Sequence, residues 1–196
     1  MVKKIYLMTK LPFKGFFKTR LSKEIGFLES RRLTLNNIEK IYKIFSGKRY
    51  SLNLYVFPKK RFRTFSITFS KNLILQKGSD LGKKIWDLYN VNEKSFVLFG
   101  SDIPEIDANI INSAFNLLKT NDIVIGPTKD GGFWLIGFSY KRKISFPFKK
   151  VRWSTKNTLN DFTTNLDMLK IRYAFSKKLT DIDNLKDYCD YIKSLS

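Results

Sequence analysis

Histidine is absent from this chain of 196 residues, and cysteine occurs once, at Cys189. The first absence removes the usual general base at neutral pH and the commonest transition-metal ligand. Chemistry must then rest on carboxylates, hydroxyls, Lys and Arg, or a hard metal ion. One cysteine permits no internal disulfide and fits a reducing compartment. Its place among the apolar positions of a helix predicts a buried filler rather than a nucleophile. Long hydrophobic runs are missing too. Lys3 and Lys4 precede only the run Ile5 to Met8, too short for the apolar part of a signal peptide, and nothing approaches the ~20 residues that span a bilayer. The expectation is a cytoplasmic protein with no transmembrane segment and at most peripheral contact with an anionic membrane.

Negative charge is also scarce: 17 Asp and Glu stand against 37 Lys and Arg, a formal net charge of +20. Such a balance suits nucleic acid, an anionic membrane or an anionic small substrate. It also follows from A/T-rich codons, which Lys, Asn, Ile and Phe share, and net charge speaks to solubility and steering rather than to a fold. A basic and aromatic strip at 59–77, KKRFRTFSITFSKNLILQK, looks like the strips that bind single strands. An extra strand, edge or flap with a charged approach accounts for the same residues, so nucleic acid is not the expected partner.

What is present is an alternation of strand and helix patterns without repeats or long linkers, in a length that suits a single domain over 1–196. The stretch from Phe96 to Gly137 organises it. Three apolar runs (96–99, 123–125 and 133–136) meet small polar clusters and read as short buried strands. Between the first two, Ile110, Ile111, Ala114, Leu117 and Leu118 recur at helical spacing behind Asp107, a candidate N-cap. Strand, helix, strand is the βαβ unit of a parallel sheet, and such sheets bind ligands beyond the carboxyl ends of their strands. Ser101, Asp102, Pro104, Thr128, Asp130, Gly131 and Gly132 fall there.

Other elements follow the same signals. A first strand at 4–8 is closed by Pro12, a helix is expected over 28–45 and a strand over 50–57. Gly78-Ser79-Asp80 opens a helix with Leu81, Ile85, Leu88 and Tyr89 inward, and Ser154 is the expected N-cap of another with Leu159, Phe162 and Leu166 inward. A last strand is expected over 169–175. Asp181 and Asp183 then precede a closing helix with Leu185, Tyr188, Ile192 and Leu195 on one side. After the first strand, a loop mixing Gly15 with Lys10, Lys14, Lys18 and Arg20 can offer backbone N–H groups and cations to a phosphate. It is no P-loop, because Phe17 stands where that motif needs Gly before the Lys.

Each acidic candidate has a local reading: Asp102 as a turn residue or cap, Asp130-Gly131 as a turn dipeptide, Asp181 and Asp183 as helix caps. Their shared position at the ends of successive elements sets them apart. Mg²⁺ commonly needs only one or two carboxylates plus substrate phosphates.

Six motifs occur in order: Lys10-x-Pro12-x-x-Gly15-x-x-Lys18-Thr19-Arg20-Leu21, Gln76-x-Gly78-x-Asp80-Leu81-Gly82, Gly100-Ser101-Asp102-Ile103-Pro104, Gly126-Pro127-x-x-Asp130-Gly131-Gly132-Phe133, Trp153-Ser154-Thr155 and Asp181-Ile182-Asp183. The series resembles the glycosyltransferase-like family called transferase 1 associated with radical-SAM and selenium domains. That family sits in the nucleotide-diphospho-sugar transferase superfamily of glycosyltransferase-A fold, near the guanylyltransferases of cofactor biosynthesis. No motif of the series falls in the region 48–75.

The resemblance implies a three-layer α/β/α sandwich with a mostly parallel, Rossmann-like sheet. It implies that Lys10, Gly15, Lys18, Thr19 and Arg20 embrace the phosphates of a nucleotide. Asp102 and Asp183 would hold Mg²⁺ or Mn²⁺, with Asp102 and Asp130 in catalytic roles. Gly131, Gly132, Trp153, Ser154 and Thr155 would line the acceptor side. Leu11, Lys84 and Trp134 depart from the family's usual Ala, Arg and Tyr. Lys84 keeps the charge of Arg without its bidentate geometry. The leading expectation is metal-dependent transfer from a nucleotide-activated donor to a small-molecule acceptor, as a glycosyltransferase using a nucleotide sugar. A nucleotidyltransferase releasing pyrophosphate and a non-catalytic binder of nucleic acid or membrane surface stand as alternatives.

Overall fold

A computed structural model describes residues 2–11, 19–57 and 72–193 of the chain. The described elements, in chain order, are β1 (Lys3–Lys10), α1 (Thr19–Ile25), α2 (Phe27–Phe45), β2 (Tyr50–Phe57), β3 (Leu73–Leu75), α3 (Leu81–Asn90), β4 (Phe96–Gly100), α4 (Ala108–Leu117), β5 (Ile123–Pro127), β6 (Phe133–Phe138), α5 (Thr158–Met168), β7 (Tyr173–Phe175) and α6 (Leu185–Lys193). The part of the basic, aromatic strip at 59–71 lies outside the described residues, and β3 falls within its remainder.

Among the described residues the strands form one seven-stranded sheet in the order β3-β2-β1-β4-β6-β5-β7. All pairings are parallel except the two made by β6. Successive strand side chains leave on opposite faces, and both faces here are apolar. Ile5 and Leu7 of β1 pack on one side with Val97, Phe99, Ile38, Ile41 and Phe45 of α2, and Ile111 and Ala114 of α4. Tyr6 of the same strand packs on the other with Phe96, Leu98, Ile85 and Leu88 of α3, and Phe162 and Leu166 of α5. Helices on both faces of a mostly parallel sheet make the three-layer α/β/α sandwich that the family resemblance implies. Each such Leu, Ile or Phe contributes about 1.5–3 kcal/mol on burial, so the sheet is a rigid base for its loops.

Caps set the helix starts. Asp80 and Asp107 accept hydrogen bonds from the backbone N–H groups of Lys83 and Ile110, each at 2.8 Å. Asp107 is the cap expected from sequence and Asp80 ends the segment expected to open a helix, whereas Ser154 does not cap α5 as expected. Asn157 holds the N-cap position of α5, while Ser154 sits three residues earlier in a turn with φ of 59°. The last strand starts later than 169 because α5 ends in a Schellman motif. Lys170 takes φ of 54°, and the N–H groups of Lys170 and Ile171 donate to the carbonyls of Asp167 and Leu166.

Two further expectations are corrected. The βαβ unit built on β4, α4 and β5 exists, but its strands are not neighbours: β6 is inserted antiparallel between them. Cys189 is exposed, not buried, because α6 lies on the surface with no fully buried residue.

Candidate functional site

Parallel strands bring their carboxyl ends to one edge of a sheet, and the antiparallel β6 starts at that edge. A cleft of about 760 Å³ opens along it. Lys10 at the end of β1, Arg20 of α1, Gln76 after β3 and Lys84 of α3 line it together with Asp102 after β4, Asp130 and Gly132 between β5 and β6, Trp134, Ser154, Asp181 and Asp183. The cationic α1 segment and the Asp102 loop, 82 residues apart in the chain, thus share one cavity. A smaller cavity of about 260 Å³ lies between α2 and α6 and reaches the same Asp102 loop.

The Asp102 loop is tied down from three directions. Ser101 donates through its backbone N–H to the Met8 carbonyl at 3.1 Å and through Oγ to Thr9 Oγ1 at 2.9 Å. Asn37 Nδ2 of α2 donates to the carbonyls of Ser101 and Ile103 at 2.5 and 3.3 Å, and Lys40 Nζ donates to the Pro104 carbonyl at 2.7 Å. Ile182 N–H donates to the Asp102 carbonyl at 3.2 Å. This last bond joins the Asp102 loop to the Asp181-Ile182-Asp183 segment. Asp130 is fixed differently: its Oδ1 accepts from Thr128 Oγ1 and from the Gly132 N–H. No hydrogen bond engages its Oδ2 among the described residues.

Four carboxylates therefore share the acidic part of the cleft, and their proximity has an electrostatic signature. Asp181, half-buried, is pushed up to about 6, first by burial and then by the charges of Asp183, Asp130 and Asp102. Burial and like charge both disfavour an ionised carboxyl. Among the described residues no three acidic, Cys or His side chains converge into a complete protein cage for a metal ion. The donor set is nonetheless all oxygen, and Mg²⁺ usually takes one or two carboxylates and completes its shell with phosphates and water. Asp102 and Asp183 fit that mode.

Cations gather nearer β1 and β2. Burial, and then the charge of Lys10, hold the Lys84 ammonium below its usual range, partly offset by Asp80. Its Nζ lies 4.7 Å from the centroid of the Phe57 ring. Repulsion of this kind at Lys84 is what a bound phosphate would relieve. Backbone around Lys84 is held by Tyr55, whose hydroxyl donates to the Lys84 carbonyl at 2.9 Å. Gln76 Nε2 in turn donates to the carbonyls of Thr9 and Tyr55 at 3.2 and 2.8 Å, fixing β3 to β1 beneath the cleft.

Of the residues singled out from sequence, the cleft gathers Lys10, Arg20, Asp102, Asp130, Gly132, Ser154 and Asp183. It does not gather Gly131, Trp153 or Thr155. Gly131 has φ of 87°, and a Cβ there would stand 2.2 Å from the Lys156 carbonyl oxygen, so it serves a close turn against the start of α5. Trp153 packs on Phe133 and Phe148 and covers Gly82, where a Cβ would meet its ring at 2.6 Å. Thr155 donates to the Arg152 carbonyl within the turn before α5. Thr19 opens α1, and Gly15 and Lys18 lie outside the described residues. Sequence reasoning gives no site role to Gln76, which belongs to a quoted motif; it takes Asp181 only as part of the acidic motif that ends in Asp183, and Lys84 only as a departure from the family's Arg.

Comparison with known proteins gives the arrangement a context. A family model described as "Uncharacterized protein conserved in bacteria (DUF2064)" matches residues 48–155, including the 48–75 stretch that carries none of the six motifs. A curated relative, 2-phospho-L-lactate guanylyltransferase of Methanocaldococcus infernus, is 26% identical over 133 residues, 67% of this chain and 60% of the relative. The match thus spans less than two thirds of that protein's length. Among solved structures, a protein of Desulfovibrio desulfuricans G20 described as a nucleotide-diphospho-sugar transferase superposes with a TM-score of 0.89 at 23% identity, covering 99% of this chain and 88% of that one. The 4-diphosphocytidyl-2C-methyl-D-erythritol synthase of Anaerococcus prevotii superposes with a TM-score of 0.59 at 10% identity, covering 98% of each chain. The fold is that of the nucleotide-diphospho-sugar transferases; none of these matches carries the narrower family name expected from the motifs.

Proposed function

The chain belongs to the DUF2064 family, and on that premise we propose that it transfers a group from a nucleotide-activated donor to a small acceptor, with Mg²⁺ or Mn²⁺ held by Asp102 and Asp183. The single observation that carries this reading is the shared cleft: cations of β1, α1 and α3 and carboxylates of the β4, β5–β6 and β7–α6 loops line one cavity. Lys10, Arg20 and Lys84 bind the donor's phosphates as point charges and, for Arg20, as a planar fork. Asp102 and Asp183 would hold a divalent cation, which would supply neutralisation of the charge that develops on the leaving phosphate. Asp130, its Oδ1 locked by Thr128 and Gly132, presents Oδ2 to an acceptor hydroxyl.

In glycosyl transfer the acceptor oxygen forms the new bond to the anomeric carbon, the carbon–oxygen bond to the diphosphate breaks, and its electron pair leaves with the nucleoside diphosphate. The hydroxyl proton passes to Asp130. A second reading, nucleotidyl transfer with pyrophosphate leaving, draws support from the guanylyltransferase relative and uses the same cations. A thermal-shift panel of nucleoside triphosphates and nucleotide sugars with Mg²⁺ or Mn²⁺ tests the donor site. At 100 times its dissociation constant a ligand contributes about 2.7 kcal/mol, so at least one member should raise the midpoint clearly. A flat response across the panel refutes the reading. Turnover of the responding donor should vanish in Asp102→Asn while its own melting midpoint stays that of the parent; surviving turnover contradicts the role of Asp102.

A further inference from the structure

The edge of the sheet opposite the cleft has a charge pattern of its own. Strand register sets Lys4, Ser51, Phe96, Phe138, Ile123 and Tyr173 in one row across β1, β2, β4, β6, β5 and β7, so the residues just outside that row form the amino edge. Lys3 and Arg49 stand there, the Lys3 N–H donating to the Arg49 carbonyl at 3.0 Å. Helices α3, α4 and α5 return the chain to the same edge, and the segment 140–144 ties their ends together. Tyr140 N–H donates to Ser95 Oγ and Ile144 N–H to the Tyr89 hydroxyl, each at 3.2 Å. Lys141 Nζ donates to the Lys119 carbonyl, and Arg142 Nη2 to the Lys170 carbonyl at 3.0 Å. Burial, and then the charges of Lys119 and Arg49, hold the Lys3 ammonium below its usual range, as expected where cations crowd.

A net charge of +20 follows from codon usage as readily as from a partner, so the arrangement and not the total is informative. At the carboxyl edge, cations share the cleft with Asp102, Asp130, Asp181 and Asp183. At the amino edge, buried Asp122 is engaged by Arg142 and Arg172, and Glu93 and Asp167 are exposed. Arg49, Lys94, Lys119, Lys143 and Lys170 are exposed as well, and among the described residues no salt bridge involves any of the five. Apolar side chains stand between them: Val91 just past α3 is 66% exposed, and at the end of α5 Met168 is 69% and Leu169 41% exposed. Cations interleaved with exposed aliphatic groups match a bilayer surface, whose anionic headgroups take the charge and whose acyl boundary takes the apolar side chains. Single-stranded nucleic acid is held on aromatic platforms, which Val91, Met168 and Leu169 do not supply. We propose that the amino edge of the sheet is a docking surface for an anionic membrane. Among the described residues no helix is long and apolar enough to cross a bilayer, so the contact is peripheral. β1 spans 8 residues, about 26 Å at ~3.3 Å each, and the cleft therefore opens into water on the far side. Docking of this kind does not depend on what the cleft transfers.

The experiment is co-sedimentation of the full chain with phosphatidylcholine vesicles, with and without phosphatidylglycerol. The chain should pellet with the anionic vesicles only, and less of it as salt rises. Lys94→Glu with Lys143→Glu and Lys170→Glu should lower the partition about tenfold or more, since each cation near an anionic surface is worth roughly fivefold. Equal reversal of exposed cations elsewhere, at Lys23, Arg31 and Lys186, should leave most of the binding in place. Met168→Ser with Leu169→Ser should abolish what remains at high salt, where the charges are screened. Hydrogen exchange of the parent on vesicles should show protection at 91–94, 141–143 and 168–170, a readout that needs no variant to fold. Equal pelleting with phosphatidylcholine alone, equal loss in the Lys23, Arg31 and Lys186 variant, vesicle binding indifferent to the Met168 and Leu169 changes, or protection confined to another face overturns the proposal. So does a single-stranded oligonucleotide that binds the same edge more tightly and releases the vesicles.

Discussion

Lys84 illustrates how one side chain is given a role by its surroundings. Burial and the neighbouring Lys10 depress its ammonium, and Tyr55 fixes its backbone, so a bound phosphate gains a preplaced cation. Charge-assisted hydrogen bonds contribute about 1.5–3 kcal/mol, and about 1.4 kcal/mol is tenfold in affinity. Lys84→Ala should therefore weaken nucleotide binding about tenfold or more by calorimetry, whereas Lys84→Arg should retain most of it. Equal affinity in the alanine variant would remove Lys84 from the donor site. Far from the cleft, Asp122 shows a structural carboxylate in the same terms. It is buried, accepts from Arg142 Nε and Nη2 at 3.0 and 2.6 Å, and takes a further bond from the Arg172 N–H. The Arg142 hydrogen bonds, against the opposing effect of burial, hold its carboxyl below the usual range, with help from Arg172. A depressed folded-state pKa means stability that is complete above the ordinary carboxylate range, about pH 4, and is lost as pH falls through the lowered value. Melting midpoints measured from pH 7 downward should drop less steeply in Asp122→Asn than in the parent; parallel curves would show that this network carries no acid sensitivity.

Among the elements, α2 does more than cover the sheet. Asn37, buried on its inner face, holds the carbonyls of Ser101 and Ile103 on either side of Asp102. Asn37→Ala leaves those carbonyls without that donor, a cost of about 1–3 kcal/mol, which at about 2–4 °C per kcal/mol for a chain of this size is a readily measured drop in midpoint. The same change should lower kcat more than it raises the KM for nucleotide, because the lysines of the donor site do not depend on it. A loss confined to stability would separate α2 from the site. Elements are largely legible in the sequence because their signals are local. Asp80 and Asp107 precede amphipathic helices, and 96–99 and 123–125 are runs too apolar for any place but a strand covered on both faces. The insertion of β6 is not legible, since an apolar run carries no mark of strand direction. Nor is the exposure of Cys189, because the helical spacing of Leu185, Tyr188 and Ile192 shows which face of α6 is apolar but not how shallowly it docks. Trp153, expected in an acceptor wall, packs on the core beside Phe133 and Phe148; its ring covers Gly82, while Ser154 of the same motif lines the cleft.

For the molecule as a whole, the sheet order explains why distant motifs meet. Parallel strands put the ends of β1, β3, β4, β5 and β7 on one edge, and β6 adds Phe133 and Trp134 to the same edge by running the other way. The candidate site is legible in the sequence to the extent that its residues follow strands: Lys10, Asp102 and Asp130 can be placed from sequence, while Lys84 and Gln76 come from neighbouring segments whose approach only packing reveals. The absence of histidine, which first narrowed the chemistry, is consistent with a cleft whose polar lining is made of Lys, Arg, Asp, hydroxyl and amide groups.

The central claim is that cations and carboxylates act on one nucleotide through a shared divalent ion, and calorimetric titration of the responding nucleotide tests it most directly. With Mn²⁺ present the parent protein should bind tightly, without it weakly, and in Asp102→Asn the two affinities should coincide. Nucleotide affinity indifferent to Mn²⁺ in the parent, or a metal effect undiminished in Asp102→Asn, would contradict the account.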